Sequence, residues 1–461
     1  MPEAKDAVVA EPEMYVVGRK SRSVPEADSV RHPWYAWYVV GLLAVVSAIN
    51  YMDRSALSIL SPLIKADLSV SDGQLGLLTG LAFFLFYALC GIPIAYWADR
   101  GVRRNIIAMG MTAWSVVTVL TGAAHNATQL FLTRVGVGAG EAGALPASSS
   151  IISDYVRPNR RASAFAIQTF GQLCGTTLGL SIAGVAGESL GWRMAFVIIG
   201  IPGVLVAIVV RFSLREPVRG SLDSDSHSLR SVKNRVPSLI ETARYLWFRR
   251  TYRLITFFAV ADGFVQFGLS QWWPSFYVRA HGLSVATAGR ELGMAVGIGS
   301  AIGLLAGGLI GDKLTPRDVR LPLLVGATFT LLSLPTAAIS LFIPSSDASI
   351  LLVGLTWMFW CVPYGATSAA AVRVVDSRVR ATASALGTFM TSVFGFGAGP
   401  SSVGALSTIL GTTFGEESLR YALILPVSVI PVMALLLCFA AKALPSDISR
   451  GVMLGEISKK R

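Results

Sequence analysis

The sequence predicts an all-α membrane protein of twelve transmembrane helices in two pseudo-symmetric six-helix bundles. Composition, the spacing of apolar runs and an internal repeat predict it. Of 461 residues, 53% are hydrophobic and only 14% are charged, with a mean hydropathy of +0.60. A soluble domain carries about 25% charged residues. The net charge of +12 forms no basic stripe across a soluble fold, which argues against nucleic acid as a partner and leaves the charge to report orientation.

Residues 1–34 read as a polar cytoplasmic tail (Glu3, Lys5, Asp6, Glu11, Glu13, Arg19, Lys20). No apolar core followed by a cleavage site occurs there, so no signal peptide is expected. Residues 35–212 hold six apolar spans, near 35–63, 75–97, 104–123, 128–152, 162–186 and 193–212. Each is long enough for a hydrocarbon core of about 30 Å. Residues 213–251 form a polar linker. Its Ser-Asp-Ser-Asp-Ser-His-Ser stretch is disorder-like, and Leu239 to Arg250 reads as a basic amphipathic helix suited to an anionic membrane surface. Residues 252–442 hold six further spans, near 252–277, 286–310, 321–342, 350–372, 381–408 and 419–442, and 443–461 is a short tail.

Arginine and lysine crowd the loops after spans 2 (Arg100, Arg103, Arg104), 4 (Arg157, Arg160, Arg161), 8 (Lys313, Arg317, Arg320) and 10 (Arg378, Arg380). The positive-inside rule places these loops, the linker and both termini in the cytoplasm. The halves repeat. Ala98-Asp99-Arg100-Gly101 after span 2 is answered by Ile310-Gly311-Asp312-Lys313 after span 8, and Arg161-Ala162-Ser163-Ala164 by Arg380-Ala381-Thr382-Ala383, 219 residues on. Six-helix repeats with acid-plus-base ends are how a duplicated transporter looks. The loops then resemble those of the major facilitator superfamily. Asp99, Arg100, Arg103 and Arg104 match its loop 2–3 signature, although Ala95 replaces the leading Gly and Gly101 falls one place early. The resemblance implies alternating access about a mid-membrane site. It also implies a cytoplasmic gate of Asp99, Arg100, Arg103, Arg104, Asp312 and Lys313, with Asp99 pairing to arginines and to the other half in the outward-open state.

Ions inside the spans carry the chemistry. Asn50-Tyr51-Met52-Asp53-Arg54 puts an acid beside a guanidinium in span 1, where each costs roughly 2.5–3.5 kcal/mol on insertion scales. Neighbours on a helix point about 100° apart, so each seeks a partner on another helix. Span 4 runs Arg134-Val-Gly-Val-Gly-Ala-Gly-Glu141, which sets Arg134 and Glu141 two turns apart on one face. The glycines suit close helix packing. A carboxyl among Gly, Ala and Val is desolvated, which disfavours its charged form. Asp53 and Glu141 are therefore the expected proton-coupling residues. If spans 1 and 4 line one cavity, the two acids share Arg54 and Arg134, and protonation frees an arginine for an anionic headgroup.

The second half offers Asp262, with Gln266 and Gln271, in span 7 and Tyr364 in span 10; Trp360 stands where the repeat would place an acid. The expected substrate site is Tyr51, Arg54, Arg134, Asp262 and Tyr364, charged on one wall and milder on the other. Asp262 reads equally as a packing acid capped by Gln266. Trp272 and Trp273 read as an interface anchor. Cys90, Cys174, Cys361 and Cys438 read as small buried side chains without metal-ligand or disulfide spacing. No metal cluster, cofactor motif or nucleophile elbow is found, which argues against an enzyme.

Asn50 to Arg54, Leu57 to Leu68, Asp72 to Gly80 and Gly138 to Glu141 further resemble the Spinster family, chiefly its bacterial members. That resemblance covers most of the first half. It implies a proton-coupled carrier of lysophospholipid or related amphiphiles, acting as a monomer in the bacterial inner membrane with Asp53, Arg54 and Glu141 coupling. Proton-coupled organic-anion symporters of the same superfamily share the Asn-Tyr-x-Asp-Arg and Gly-x-Gly-Glu-Ala motifs. A symporter of small organic anions, such as sugar acids, is therefore the alternative.

Overall fold

The structure is a computed structural model and describes residues 33–98, 100–219, 239–375 and 379–459. The expectations for the N-terminal tail, Asp99, most of the linker and the last residues fall outside that range. Among the described residues there is helix and no strand. Helices α1 (Pro33–Leu68), α2 (Asp72–Thr79), α3 (Leu81–Ala98), α4 (Arg103–Thr121), α5 (Ala127–Glu141), α6 (Ala144–Tyr155), α7 (Arg161–Leu190) and α8 (Trp192–Ser213) build the first six rods. Rod 2 is α2 plus α3 and rod 4 is α5 plus α6. After α9 (Leu239–Phe248) come α10 (Arg250–Ser270), α11 (Trp273–Ala280), α12 (Val285–Leu314), α13 (Leu321–Phe342), α14 (Ser346–Cys361) and α15 (Pro363–Val374). Then follow α16 (Arg380–Met390), a π-helical segment Thr391–Gly397, α17 (Ala398–Phe414), α18 (Ser418–Ala422) and α19 (Ile424–Lys459).

Nine stretches of the described residues are long and apolar enough to cross a membrane, and one of them, Thr382–Ser449, contains two rods. The two less apolar rods are α4 and the pair α5–α6. The latter carries the ion-bearing Arg134 and Glu141 and breaks at Ala142–Gly143, where a single helix over 128–152 was expected. Span 2 likewise pauses at Gly80.

Packing explains the glycines. A Cβ at Gly171, Gly175 or Gly179 of α7 would strike the backbone of Ala44, Ala48 or Met52 of α1, so the two helices lie backbone to backbone. Small residues allow that approach where lipid supplies no hydrophobic drive between helices. Glycines also draw the halves together at the end away from the basic loops. A Cβ on Gly76 would lie 2.5 Å from the Pro400 carbonyl oxygen, and Gly293 packs against Thr177.

Polar bonds cross the same seam. The Asp72 carboxylate takes both guanidinium nitrogens of Arg279 at 2.7 and 2.8 Å, the Ser407 hydroxyl at 2.7 Å and Lys65 Nζ at 2.6 Å. The Gly73 amide donates to Thr408 at 2.8 Å, Ala286 N to Glu188 at 2.8 Å and the Thr177 hydroxyl to the Gly293 carbonyl at 3.0 Å. Among the described residues, every hydrogen bond and ion pair that joins the halves lies at mid-depth or at this end. The described residues seal the halves at that end, and at the basic end Gly365, Ser368, Ala369 and Val372 of α15 are exposed.

Three expectations need correction. Trp272 and Trp273 are buried, each 2% exposed; the Trp272 indole donates to the Pro400 carbonyl, so the pair sits in the seam and not at a lipid interface. Of the cysteines only Cys361 is buried, and the others are half-buried. Asp262 is held by Trp360 and not by Gln266, as described below.

Candidate functional site

Span 1 carries its ions where α1 passes the break between α5 and α6. Arg54 Nε and Nη2 both donate to one oxygen of Glu141, at 2.9 and 2.7 Å. Behind the guanidinium stand Tyr51, Phe83, Phe84 and Tyr87, with ring centroids 4.9–5.7 Å from it. Aromatic faces attract a cation within about 6 Å, which helps hold a charge that hydrocarbon would reject. Asp53, next in the chain, points to another partner. Arg134 Nη1 stands 3.8 Å from Asp53 Oδ2, and Arg134 Nη2 donates to Thr121 at 2.9 Å. Asp53 and Arg134 are each 2% exposed, and neither Asp53 oxygen accepts a hydrogen bond.

The structure therefore brings Asp53, Arg54, Arg134 and Glu141 together as two crossed pairs between rods 1 and 4. The two pairs differ in access. Arg54 and Tyr51 border the main cavity, about 380 Å³, which lies between the halves. Arg134 does not; it borders a crevice of about 20 Å³ that Phe83 and Phe84 also line. Glu141 borders a small chamber of about 40 Å³, on the basic-end side of Arg54, where Ser47, Asn50, Ser148 and Gln172 stand among Val46, Ala144 and Leu145. A chamber of that size with several polar partners admits water.

The main cavity is asymmetric. From the first half come Tyr51, Arg54, Ser55, Thr169, Gln172 and Thr176, with Leu173 and Leu180. From the second come Asp262, Gln266, Ser300 and Tyr364 among Phe267, Trp273, Leu292, Val296, Leu304, Trp357 and Phe396. It follows α12 from Leu292 to Leu304, more than three helical turns, beside the seam with α7. The π-helical turn of rod 11 brings Phe396 in, its ring 4.4 Å from Phe267 and 5.3 Å from Phe84. Such wide turns concentrate at functional sites. Phe396 carries no signal in the sequence, since an aromatic residue in an apolar span carries no mark of which face it occupies, and Trp273, expected at a lipid interface, lines the cavity instead.

Asp262 and Tyr364 both line the second-half wall, and the Trp360 indole donates to Asp262 Oδ1. Of the expected gate residues, Arg103 faces inward within its own half. It binds Asp154, Ser150 and, at 2.8 Å, Glu216. The Glu216 carboxylate also accepts the Arg104 amide at 2.9 Å, which caps α4, and Arg104 Nη1 reaches the Leu214 carbonyl. Arg100 lies on the surface over the Tyr96 ring. Asp312 and Lys313 are exposed at the basic end of α12, with no ion pair to the first half among the described residues.

Residues 43–400 match the family model of the Major Facilitator Superfamily. A curated relative, the "MFS-type efflux pump" of Mycolicibacterium smegmatis, is 34% identical over 419 residues, covering 90% of this chain and 94% of that one. The "Probable L-galactonate transporter" of Escherichia coli is 27% identical over 358 residues, covering 74% and 76%. Among solved structures, a bacterial homologue of the human lysosomal transporter Spinster, in an inward-facing and unoccupied conformation, superposes with a TM-score of 0.78. It is 29% identical and covers 90% of this chain and 98% of that one.

Proposed function

The chain belongs to the major facilitator superfamily and is a membrane transporter, and we propose that it is a proton-coupled carrier of an amphipathic molecule, a lysophospholipid or close relative. Both termini and the basic end then face the cytoplasm of the bacterial inner membrane, and a single chain suffices. One observation carries the reading. Arg54 belongs both to the buried ion cluster and to the cavity wall, and its guanidinium is already spent on Glu141. An anionic group entering the cavity competes with Glu141 for that fork. When Glu141 takes up a proton from its small chamber, Arg54 is released to the substrate. Asp53 and Arg134, sealed behind the aromatic layer, keep the second half of the balance. Arg134 stands 3.8 Å from Asp53, so a change of charge on Asp53 changes that pairing. Substrate and proton thus exchange through two neighbouring pairs on rods 1 and 4.

The amphipathic choice follows from the wall: an ionic spot at Arg54 and a long apolar run along α12 and the aromatic cluster. A headgroup takes the first and a hydrocarbon chain the second. Small sugar acids form the second reading, favoured by the named E. coli relative. They offer nothing to the apolar side of the cavity.

The test is transport into proteoliposomes under an imposed pH gradient, with labelled lysophospholipid and a sugar acid run side by side. Asp53→Asn and Glu141→Gln should each abolish gradient-driven transport while leaving exchange at equal pH measurable. Full gradient-driven activity in either variant overturns proton coupling through this cluster. Transport of the sugar acid alone replaces the first reading with the second.

A further inference from the structure

The cavity has a second charged point that the Arg54 argument leaves unused. Asp262, on α10, is 8% exposed and lines the cavity from the opposite half. Its neighbours are neutral: the Trp360 indole donates to Oδ1, and Tyr364 stands beside the same carboxylate. Among the described residues, no Lys, Arg or His pairs with it. An acid at this depth without a counter-charge is costly unless something entering the cavity supplies one. The walls around it fit a particular counter-charge. Trp357 and Tyr364 line the cavity next to Asp262, and the Trp357 and Trp360 rings lie 5.7 Å apart. A cavity carboxylate beside the Trp357 and Tyr364 rings attracts a substituted ammonium group through charge, with the aromatic side chains adding to it.

We infer that Asp262, with Trp357 and Tyr364, forms an ammonium subsite, so that the carrier selects substrates bearing a positive amine. This rests on the proposed role of the cavity as the substrate site, but not on the substrate being a lysolipid. For a zwitterion, the anionic group meets Arg54 on one wall and the amine meets Asp262 on the other, so one molecule bridges the two halves. For a sugar acid, Asp262 presents only a like charge. The subsite thus discriminates against the class that the Arg54 pair alone would accept.

The experiment uses the full chain in lipid nanodiscs and in proteoliposomes. Lysophosphatidylethanolamine and lysophosphatidylglycerol of one acyl chain are compared, with a plain alkylamine of the same length as a third probe. The wild type should favour the ethanolamine lipid over the glycerol lipid by about tenfold, a step of about 1.4 kcal/mol. Asp262→Asn keeps a carbonyl oxygen for the Trp360 indole and so preserves the fold, which the gel-filtration profile checks. It should erase the preference by losing the amine lipid alone, and Asp262→Glu should restore part of it. An equal loss of both lipids, or an unchanged ratio, overturns the subsite. If neither lysolipid binds, the lipid reading falls and the alkylamine decides. Binding that Asp262→Asn abolishes sustains the subsite, and binding that is absent or indifferent to the substitution overturns it.

Discussion

Asp72→Asn isolates the seal at the end away from the basic loops. In the sealed state the Asp72 carboxylate holds four donors, of which the Arg279 fork and the Ser407 hydroxyl come from the other half. Lys65 belongs to the same half and travels with Asp72 when the seam opens. The energy that distinguishes sealed from open is therefore the Arg279 and Ser407 share. Removing one partner of a buried ion pair costs about 3–5 kcal/mol. Arg279 retains 15% exposure and Lys65 38%, so solvent screens part of it, and asparagine keeps one acceptor. A differential of about 2–3 kcal/mol remains, which converts to a roughly 30- to 150-fold change in the ratio of sealed to open forms. Spin labels on Ala66 and Thr413, both exposed near the seam, would report it as a new long-distance population in pulsed electron-spin measurements. Adding Arg279→Gln to Asp72→Asn should change little further, because the two side chains act through one contact. Superimposable distance distributions in the wild type and Asp72→Asn would refute the assignment of Asp72 as the seal.

Gly76→Ala tests the same seam sterically. Its Cβ would sit 2.5 Å from the Pro400 carbonyl oxygen, and a backbone oxygen has no rotamer to escape into, so overpacking of about 1–3 kcal/mol falls on the sealed state alone. The same label pair should show the open population rise, and an unchanged distribution would mean that the halves approach less closely than described. At the basic end, Glu216→Ala removes the cap on α4 and one of the Arg103 partners. A cap is worth about 0.5–2 kcal/mol and a hydrogen bond to a charged group about 1.5–3. With Arg103 still held by Asp154, the net loss should be about 2 kcal/mol, seen as a lower midpoint in fluorescence-monitored thermal unfolding. Midpoints equal to wild type would show that the segment after α8 does not brace the loop.

Much of this was readable in the chain because lipid leaves few options. Apolar runs of span length and the acid-plus-base repeat fix twelve rods and two halves, and an ion at mid-depth announces itself by its cost. Asp53, Arg54, Arg134 and Glu141 stood out for that reason, and the structure brings them together. Their pairing was not readable. Arg54 goes to Glu141 and Asp53 to Arg134 through the way α1 meets the α5–α6 break, which is set by tertiary packing. The seal was missed because Asp72, Lys65 and Arg279 look like ordinary loop-end charges until the halves meet. Trp272 and Trp273 misled by composition: tryptophan near the end of an apolar run suits a lipid interface and a helix seam equally well. The partner of Arg103 was not readable either: Glu216, from the segment just after α8, holds it within its own half.

The ion cluster and the seal are mechanically connected through α1. One turn beyond Arg54, the Ser58 hydroxyl lies against the Ser270 and Gln271 carbonyls at 3.1 and 2.9 Å, where α10 ends and α11 begins. Two turns further along α1 stands Lys65, bound to Asp72. On its other side α1 lies backbone to backbone with α7, which itself packs on α12 across the seam. Bistable packed elements amplify small local shifts, since a close-packed interface cannot deform continuously. A change of partner at Arg54 therefore acts on a helix clamped along one side by α7 and tied to the second half at Ser58. The helix that carries Arg54 thus also bears on the seam whose release would expose the cavity to the other face of the membrane.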